Sequence, residues 1–402
     1  MGKWYTCAPC QFGTGGAFFR RDSGLLCRGL QALGHESKVV LLGPSEPDAS
    51  PDILRAQLRD LESAEWWRAL KLDGVIMVAW ARHRDTPIVR AIAASGTPLV
   101  LHVDGTGIAY PLFDRAETWK TLWRGERGTG RAWGLRCGRF LKQATVLAVR
   151  LLVRQSYLKY RHLRGATLVT FQTPTAWERT GRLCSFFGGK AHGVRLRMVG
   201  YPLPPDCQRN PAIAKEKRII AIGRWEDLWT KRPHVLMEVC AAIALRHADL
   251  QIDIFGTKTE ALARWHAALG ADLRARIHIY GVVPGEIVAE ALQKAQISFF
   301  PSSGEGGPQA LFEGLACGVT TVGLDSPDLP GTRWAAACGH GEIAQRDTTE
   351  AYVEALERGL AKWERGEYSP EEISAFWMPR TQCSQILQTM IAAVQEEIAP
   401  QP

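Results

Sequence analysis

Short runs of Val, Ile and Leu, each followed by a stretch of helical periodicity, recur through both halves of the chain. A strand that is apolar on consecutive residues must be covered on both faces, and a parallel sheet flanked by helices is the arrangement that does so. In the first half the candidate strands are 4–8, 38–42, 74–80, 98–103, 167–172 and 195–201, with helices expected near 17–33, 52–71, 85–95 and 175–186. In the second half they are 218–222, 250–255, 277–280, 297–301 and 319–323, again with helices between. At 402 residues the chain exceeds one ordinary core and suits two. The stretch Tyr201-Pro-Leu-Pro-Pro-Asp, with Asn210-Pro211 after it, cannot hold a helix or a central strand, because proline lacks an amide donor. The expected domains are therefore 1–204, with a helical insertion at about 106–165, and 205–370. A terminal helix over 371–402, broken near Pro379, is expected to pack back across the junction.

The remaining composition narrows the class. Nowhere do about 18 apolar residues run uninterrupted, and the N-terminus lacks the apolar core of a secretion signal, so a cytoplasmic location is expected. Ten cysteines are scattered, and apart from Cys7 and Cys10 none has the spacing of a metal or redox pair. Cys7-Ala8-Pro9-Cys10 closes the first strand without an immediately following helix to activate a thiol, which argues against redox chemistry there.

Phe299-Phe-Pro-Ser-Ser-Gly-Glu305-Gly306-Gly307-Pro308-Gln309-Ala-Leu-Phe-Glu313 places a glycine-rich loop between a strand and a helix that proline can start. Amides at such a helix start favour an anionic or hydroxyl-rich ligand, and two carboxylates eight residues apart can each grip vicinal hydroxyls. A second cluster follows the strand that opens the second half: Gly223-Arg224, then Lys231. A planar guanidinium and an ammonium placed together can hold a diphosphate and stabilise the charge that builds when it departs.

The two clusters resemble those of retaining GT-B glycosyltransferases, in particular glycosyltransferase family four, also called group 1. That resemblance implies an α/β chain of two Rossmann-like domains facing each other across a cleft. It implies that Glu305 faces the donor sugar and Glu313 holds the nucleotide ribose, beside Gly306, Gly307, Pro308 and Gln309. It implies that Arg224 and Lys231 clamp the diphosphate. Gln11-Phe-Gly13-Thr-Gly15-Gly16 after the first strand is similar to the family's glycine loop, which puts Gly15 and Gly16 near the donor phosphates. Leu99-Val-Leu-His102 ends a strand where the family often carries a histidine facing the reaction centre, so His102 is a candidate for sugar or acceptor contact. No cofactor and no metal is implied, since no D-x-D or phosphate-loop motif is present. The donor is expected to be a UDP- or GDP-sugar and the acceptor a carbohydrate or a lipid-linked glycan. A nucleotide-sugar epimerase on the same architecture, or a transferase acting on a soluble small acceptor, are the alternatives.

Net charge is +8, yet residues 115–164 hold thirteen Lys or Arg against Glu117 and Glu126, a local +11 that leaves −3 for the rest. At 100° per residue Arg136, Arg139, Lys142, Arg150, Arg154, Arg161 and Arg164 share one face, and Phe140, Leu141, Ala144, Leu147, Ala148, Leu151, Leu152 and Leu158 the other, which Lys159 interrupts. Such a segment over 136–164 either lies on an anionic membrane surface, at the inner face of the cell membrane, or packs its apolar side on a sheet. No nucleic-acid module is recognisable, so a nucleic-acid partner is not expected.

Overall fold

The computed structural model describes residues 1–11, 18–43, 50–79, 83–106, 133–152, 155–190 and 192–398; side chains at 79, 83, 136, 143, 146–152, 155 and 398 lie outside this description. Two compact units are present. The first is made of Met1–Phe113, Arg150–Pro205 and Arg380–Pro402, and the second of Asp114–Val149 and Asp206–Pro379.

The first unit is built on β1 (Trp4–Ala8), β2 (Val39–Leu42), β3 (Ile53–Ala56), β4 (Gly74–Ala79), β5 (Leu99–Val103), β6 (Leu168–Phe171) and β7 (Leu196–Met198). They form one sheet in the order β3-β2-β1-β4-β5-β6-β7, every pair parallel. Both faces are buried, as consecutive apolar residues require. Tyr5, Val75, Met77, Leu101 and Phe171 line one face, and Trp4, Ile76, Val78 and Val100 the other. The second face is closed by the C-terminal helix Cys383–Ile398, whose Leu387, Met390 and Val394 pack against Leu26 and Leu30. Each such side chain contributes roughly 1.5–3 kcal/mol on full burial. The tail is helical over Pro370–Thr381 and again over Cys383–Ile398, so the break falls at Gln382 and Pro379 stays inside the first of the two helices.

The second unit holds β8 (Glu216–Gly223), β9 (Gln251–Gly256), β10 (Ile277–Gly281), β11 (Ala295–Phe300), β12 (Thr320–Leu324) and β13 (Gly341–Ala344), in the order β10-β9-β8-β11-β12-β13. All pairs are parallel. Several helices start where the sequence supplies a threonine cap: Thr173, Thr259 and Thr348 each accept from the backbone N–H three residues on.

One expectation is corrected. Residues 52–71 are not one helix: 53–56 form β3, and short helices follow at Leu58–Leu61 and Ala64–Ala69. In the basic segment the described helical residues are Trp133–Leu152 and Gln155–Leu163, and 153–154 between them lie outside the described residues. In the latter, Tyr160 and Leu163 belong to the core, while Arg161 and Arg164 are exposed. In the former, Trp133 and Leu141 are exposed by 71% and 68%, so at these positions the apolar side is not covered by a sheet. Arg154 and the side chains of Arg136, Arg150, Leu147 and Leu151 lie outside the described residues.

Candidate functional site

In the second sheet β8 and β11 are direct neighbours, with Ile219 opposite Ile297 and Ile220 opposite Ser298. The loops leaving their carboxyl ends therefore emerge side by side, where ligands of open parallel sheets bind. The β8 loop begins at Gly223, which pairs with Gly256 on β9. Gly256 has φ +112°, and a Cβ there would be driven into the Gly223 carbonyl, so close backbone approach demands glycine. Arg224 follows and stands exposed, while Trp225 turns inward and donates its indole N–H to the Phe255 carbonyl at 2.9 Å.

Asp227 shapes the rest of this loop. Its carboxylate accepts from the Trp229 and Thr230 amides at 3.2 and 2.9 Å, and its carbonyl accepts from the Lys231 amide at 3.0 Å. The β11 loop then clasps it: the Ser303 amide donates to the Thr230 carbonyl at 2.9 Å and the Ser303 hydroxyl to the Trp229 carbonyl at 2.7 Å. Lys231 Nζ is thereby held 2.6 Å from Glu305 Oε2, with side chains only 13% and 11% exposed. The Ser302 hydroxyl donates to the other carboxylate oxygen of Glu305, and the Glu305 amide donates to the Asp328 carbonyl at 2.8 Å.

Arg232, the next residue, ties down the loop that carries Lys231. Its backbone is left-handed, at φ 53° and ψ 60°, a conformation that costs a non-glycine residue of order 1 kcal/mol or more. The buried guanidinium offsets this by donating to Asp347 Oδ1 at 2.6 Å, and to the Pro301 carbonyl and the Tyr352 hydroxyl, each at 3.3 Å. Pro301 closes β11, so Arg232 ties the lysine's loop to the strand that delivers Glu305. Burial raises the Tyr352 hydroxyl above the usual phenol range.

Pro308 occupies the N-cap, and the helix runs Gln309–Ala316, one residue later than the sequence suggests. Gln309 and Glu313 sit one turn apart, and the Gln309 amide donates to Glu313 Oε1 at 2.7 Å. Gly306 and Gly307 lie in the loop between Glu305 and this helix. The structure thus brings together Lys231 with Glu305, and Gln309 with Glu313. Asp227, Ser302, Ser303, Asp328 and Arg232, which support them, were not singled out from sequence. An Asp followed by Trp-Thr after Leu is a readable turn signal, but the serines and Arg232 act through a strand pairing that no local pattern announces.

In the first unit, β5 places His102 opposite Thr170 of β6. His102 is 2% exposed; its Nδ1 lies 2.9 Å from the Thr170 hydroxyl, and its Nε2 3.4 Å from the Gln172 amide nitrogen. Both ring nitrogens thus meet a polar side chain inside the first unit. Burial pushes the His102 pKa down to about 4, which keeps the ring neutral at ordinary pH. Gly15 and Gly16 lie outside the described residues. Among the described residues no group of three or more His, Cys, Asp or Glu is placed to hold a metal, and no helix is long and apolar enough to cross a membrane.

Residues 216–362, which span this sheet and its loops, match the family model for glycosyl transferases group 1. No curated protein matches the sequence. Among solved structures, the chain is similar to sucrose-phosphate synthase from Thermosynechococcus elongatus, at 13% identity and TM-score 0.63, covering 99% of this chain and 100% of that one. It is similar to the lipopolysaccharide outer core galactosyltransferase WaaB, at 13% identity and TM-score 0.61, over 98% and 100% of the two chains. It is also similar to HepE of Anabaena, solved with UDP and glucose, at 12% identity and TM-score 0.59, again over 98% and 100%. At such identities these likenesses bear on the fold. The chain has the GT-B fold, and over residues 216–362 it is matched by the model of the glycosyl transferases group 1.

Proposed function

We propose that the protein is a retaining, metal-independent hexosyltransferase that moves a sugar from a nucleoside diphosphate donor to an acceptor hydroxyl. The observation that carries this reading is the Lys231–Glu305 pair, held at the ends of two adjacent strands and followed by the Gln309–Glu313 helix. On donor binding, Lys231 and the exposed Arg224 meet the diphosphate, Glu305 turns to the sugar hydroxyls, and Glu313 takes the ribose. As the anomeric C–O bond breaks, negative charge collects on the β-phosphate, where fixed cations stabilise it without a metal. The same phosphate accepts the proton of the acceptor hydroxyl attacking from its own face, so no protein nucleophile is needed. UDP is the first nucleotide to try, because HepE, similar in fold, was solved with it.

The acceptor side follows from the basic segment. Exposed Trp133 and Leu141 share a helix with Lys142 and Arg139, the composition of an element that rests on an anionic bilayer. A lipid-linked acceptor at the inner face of the cell membrane fits that placement, and a soluble acceptor is what remains without it. The test of the donor site is calorimetry. Glu313→Ala should weaken nucleoside diphosphate binding by about 1–3 kcal/mol, the cost of a charged hydrogen bond. Unchanged affinity removes Glu313 from the ribose.

A further inference from the structure

A groove of about 570 Å³ runs along the first unit between the helix Pro174–Gly188 and the chain entering the edge strand β7. That volume is of the size that holds small organic ligands. Trp177, Glu178 and Arg182 face it from the helix, and His192, Val194 and Leu196 from the other side. Trp177 is 41% exposed, and its indole stacks on no other ring among the described residues. Glu178 and Arg182 stand one turn apart, in the orientation that ordinarily forms an ion pair on a helix, yet no such pair is made between them. The His192 ring is fixed, because its Nδ1 accepts from the Val194 amide at 3.1 Å, which leaves the Nε2–H as a donor. Tyr160 anchors the same residue by donating its hydroxyl to the His192 carbonyl at 3.3 Å.

We infer that this groove is a binding site for the carbohydrate part of the acceptor, with Trp177 as its stacking platform. The face of an indole is electron-rich and attracts the polarised C–H groups of a pyranose, while a carboxylate, a guanidinium and an imidazole N–H around it suit a ring of hydroxyls. One anionic and one cationic group leave the groove near neutrality, which disfavours a phosphate or a nucleotide. A peptide adding to the edge of β7 is disfavoured too. The strand has three residues, and Arg195 and Arg197, alternating with the groove-lining Val194 and Leu196, pair with Glu397 and Glu396 on the opposite face. The groove borders β7, which pairs with β6 in the same sheet that carries His102 on β5, so it belongs to the unit that holds the candidate for acceptor contact. The assignment rests on the transferase reading, since a glycan acceptor is what gives the groove a purpose.

The experiment applies the full chain, without donor, to an array of neutral oligosaccharides of two to six sugars. Wild-type protein is expected to retain a subset of them. Trp177→Ala should bind every one of these at least about tenfold more weakly, and Trp177→Phe should keep part of the affinity. Equal melting temperatures of the three proteins exclude unfolding. An array on which wild-type protein retains nothing, or on which Trp177→Ala binds as wild type does, overturns the proposal. Donor hydrolysis by the wild-type chain is measured separately. Glycan binding without hydrolysis would remove the transferase reading and keep the groove, and hydrolysis without glycan binding would do the reverse.

Discussion

Lys231 and Glu305, 74 residues apart in sequence, form an ion pair of 2.6 Å between side chains that are almost nine-tenths buried. The diphosphate and the carboxylate are thus competitors for one ammonium. Glu305→Gln removes that competition. Nucleoside diphosphate affinity should rise by about threefold to tenfold, the return from freeing one charge-assisted contact. Turnover should fall by about 10²-fold, because the sugar loses its orienting carboxylate. Calorimetry alongside steady-state kinetics checks both directions, and a fall in both quantities contradicts the exchange.

His102 gives the account a pH dependence. Its pKa lies near 4 in the folded chain against an ordinary 6.5, with burial as the cause. The unfolded chain therefore binds the extra proton first. The stability held by the neutral ring is complete above pH 6.5 and is lost as pH falls from there toward 4, by about 1.4 kcal/mol per unit and about 3 kcal/mol across the window. His102→Gln keeps a polar side chain that does not titrate, so its denaturant midpoint should fall less steeply than wild type between pH 6.5 and 4. Parallel slopes would place the acid sensitivity elsewhere. The same neutrality predicts that donor hydrolysis shows no step near pH 6.5 from this ring.

The basic segment predicts membrane behaviour. Each basic residue near an anionic surface contributes about 1 kcal/mol, screened over about 10 Å at 0.1 M salt. Wild-type protein should sediment with vesicles containing acidic phospholipid and be released by salt, and the triple charge reversal Lys142→Glu, Arg150→Glu and Arg154→Glu should abolish sedimentation. A wild-type chain that ignores such vesicles at low salt makes a soluble acceptor the better assignment.

Much of the fold was legible because buried parallel strands carry unbroken apolar runs. Eleven of the thirteen described strands were read from their apolar runs, and β1 matches its expected span, Trp4–Ala8. The two strands that sequence did not reveal, β3 and β13, are both sheet edges. Ile53-Leu-Arg-Ala is half-buried over most of its length and blends into the helical pattern that follows, and Gly341-Glu-Ile-Ala has one apolar residue at its centre. The site was legible where chemistry is local, as in Glu305 and Glu313, eight residues apart across one loop and helix. It was not legible where support comes from a neighbouring strand. No local pattern marks Arg232, and only Pro301, Tyr352 and Asp347 together show why an arginine can hold a left-handed backbone there.

In the proposed reaction this site breaks the bond between a sugar and a nucleoside diphosphate with retention. The direct measurement is proton and phosphorus NMR of the purified chain with UDP- and GDP-hexoses, one at a time, in the presence of a metal chelator. One donor should be slowly hydrolysed to nucleoside diphosphate and free sugar, the first-formed anomer should have the donor's configuration, and Lys231→Ala and Arg224→Ala should each slow this by about 10²–10³-fold. Conversion of one nucleotide sugar into its epimer, first formation of the opposite anomer, or no reaction with any donor would contradict the proposed reaction.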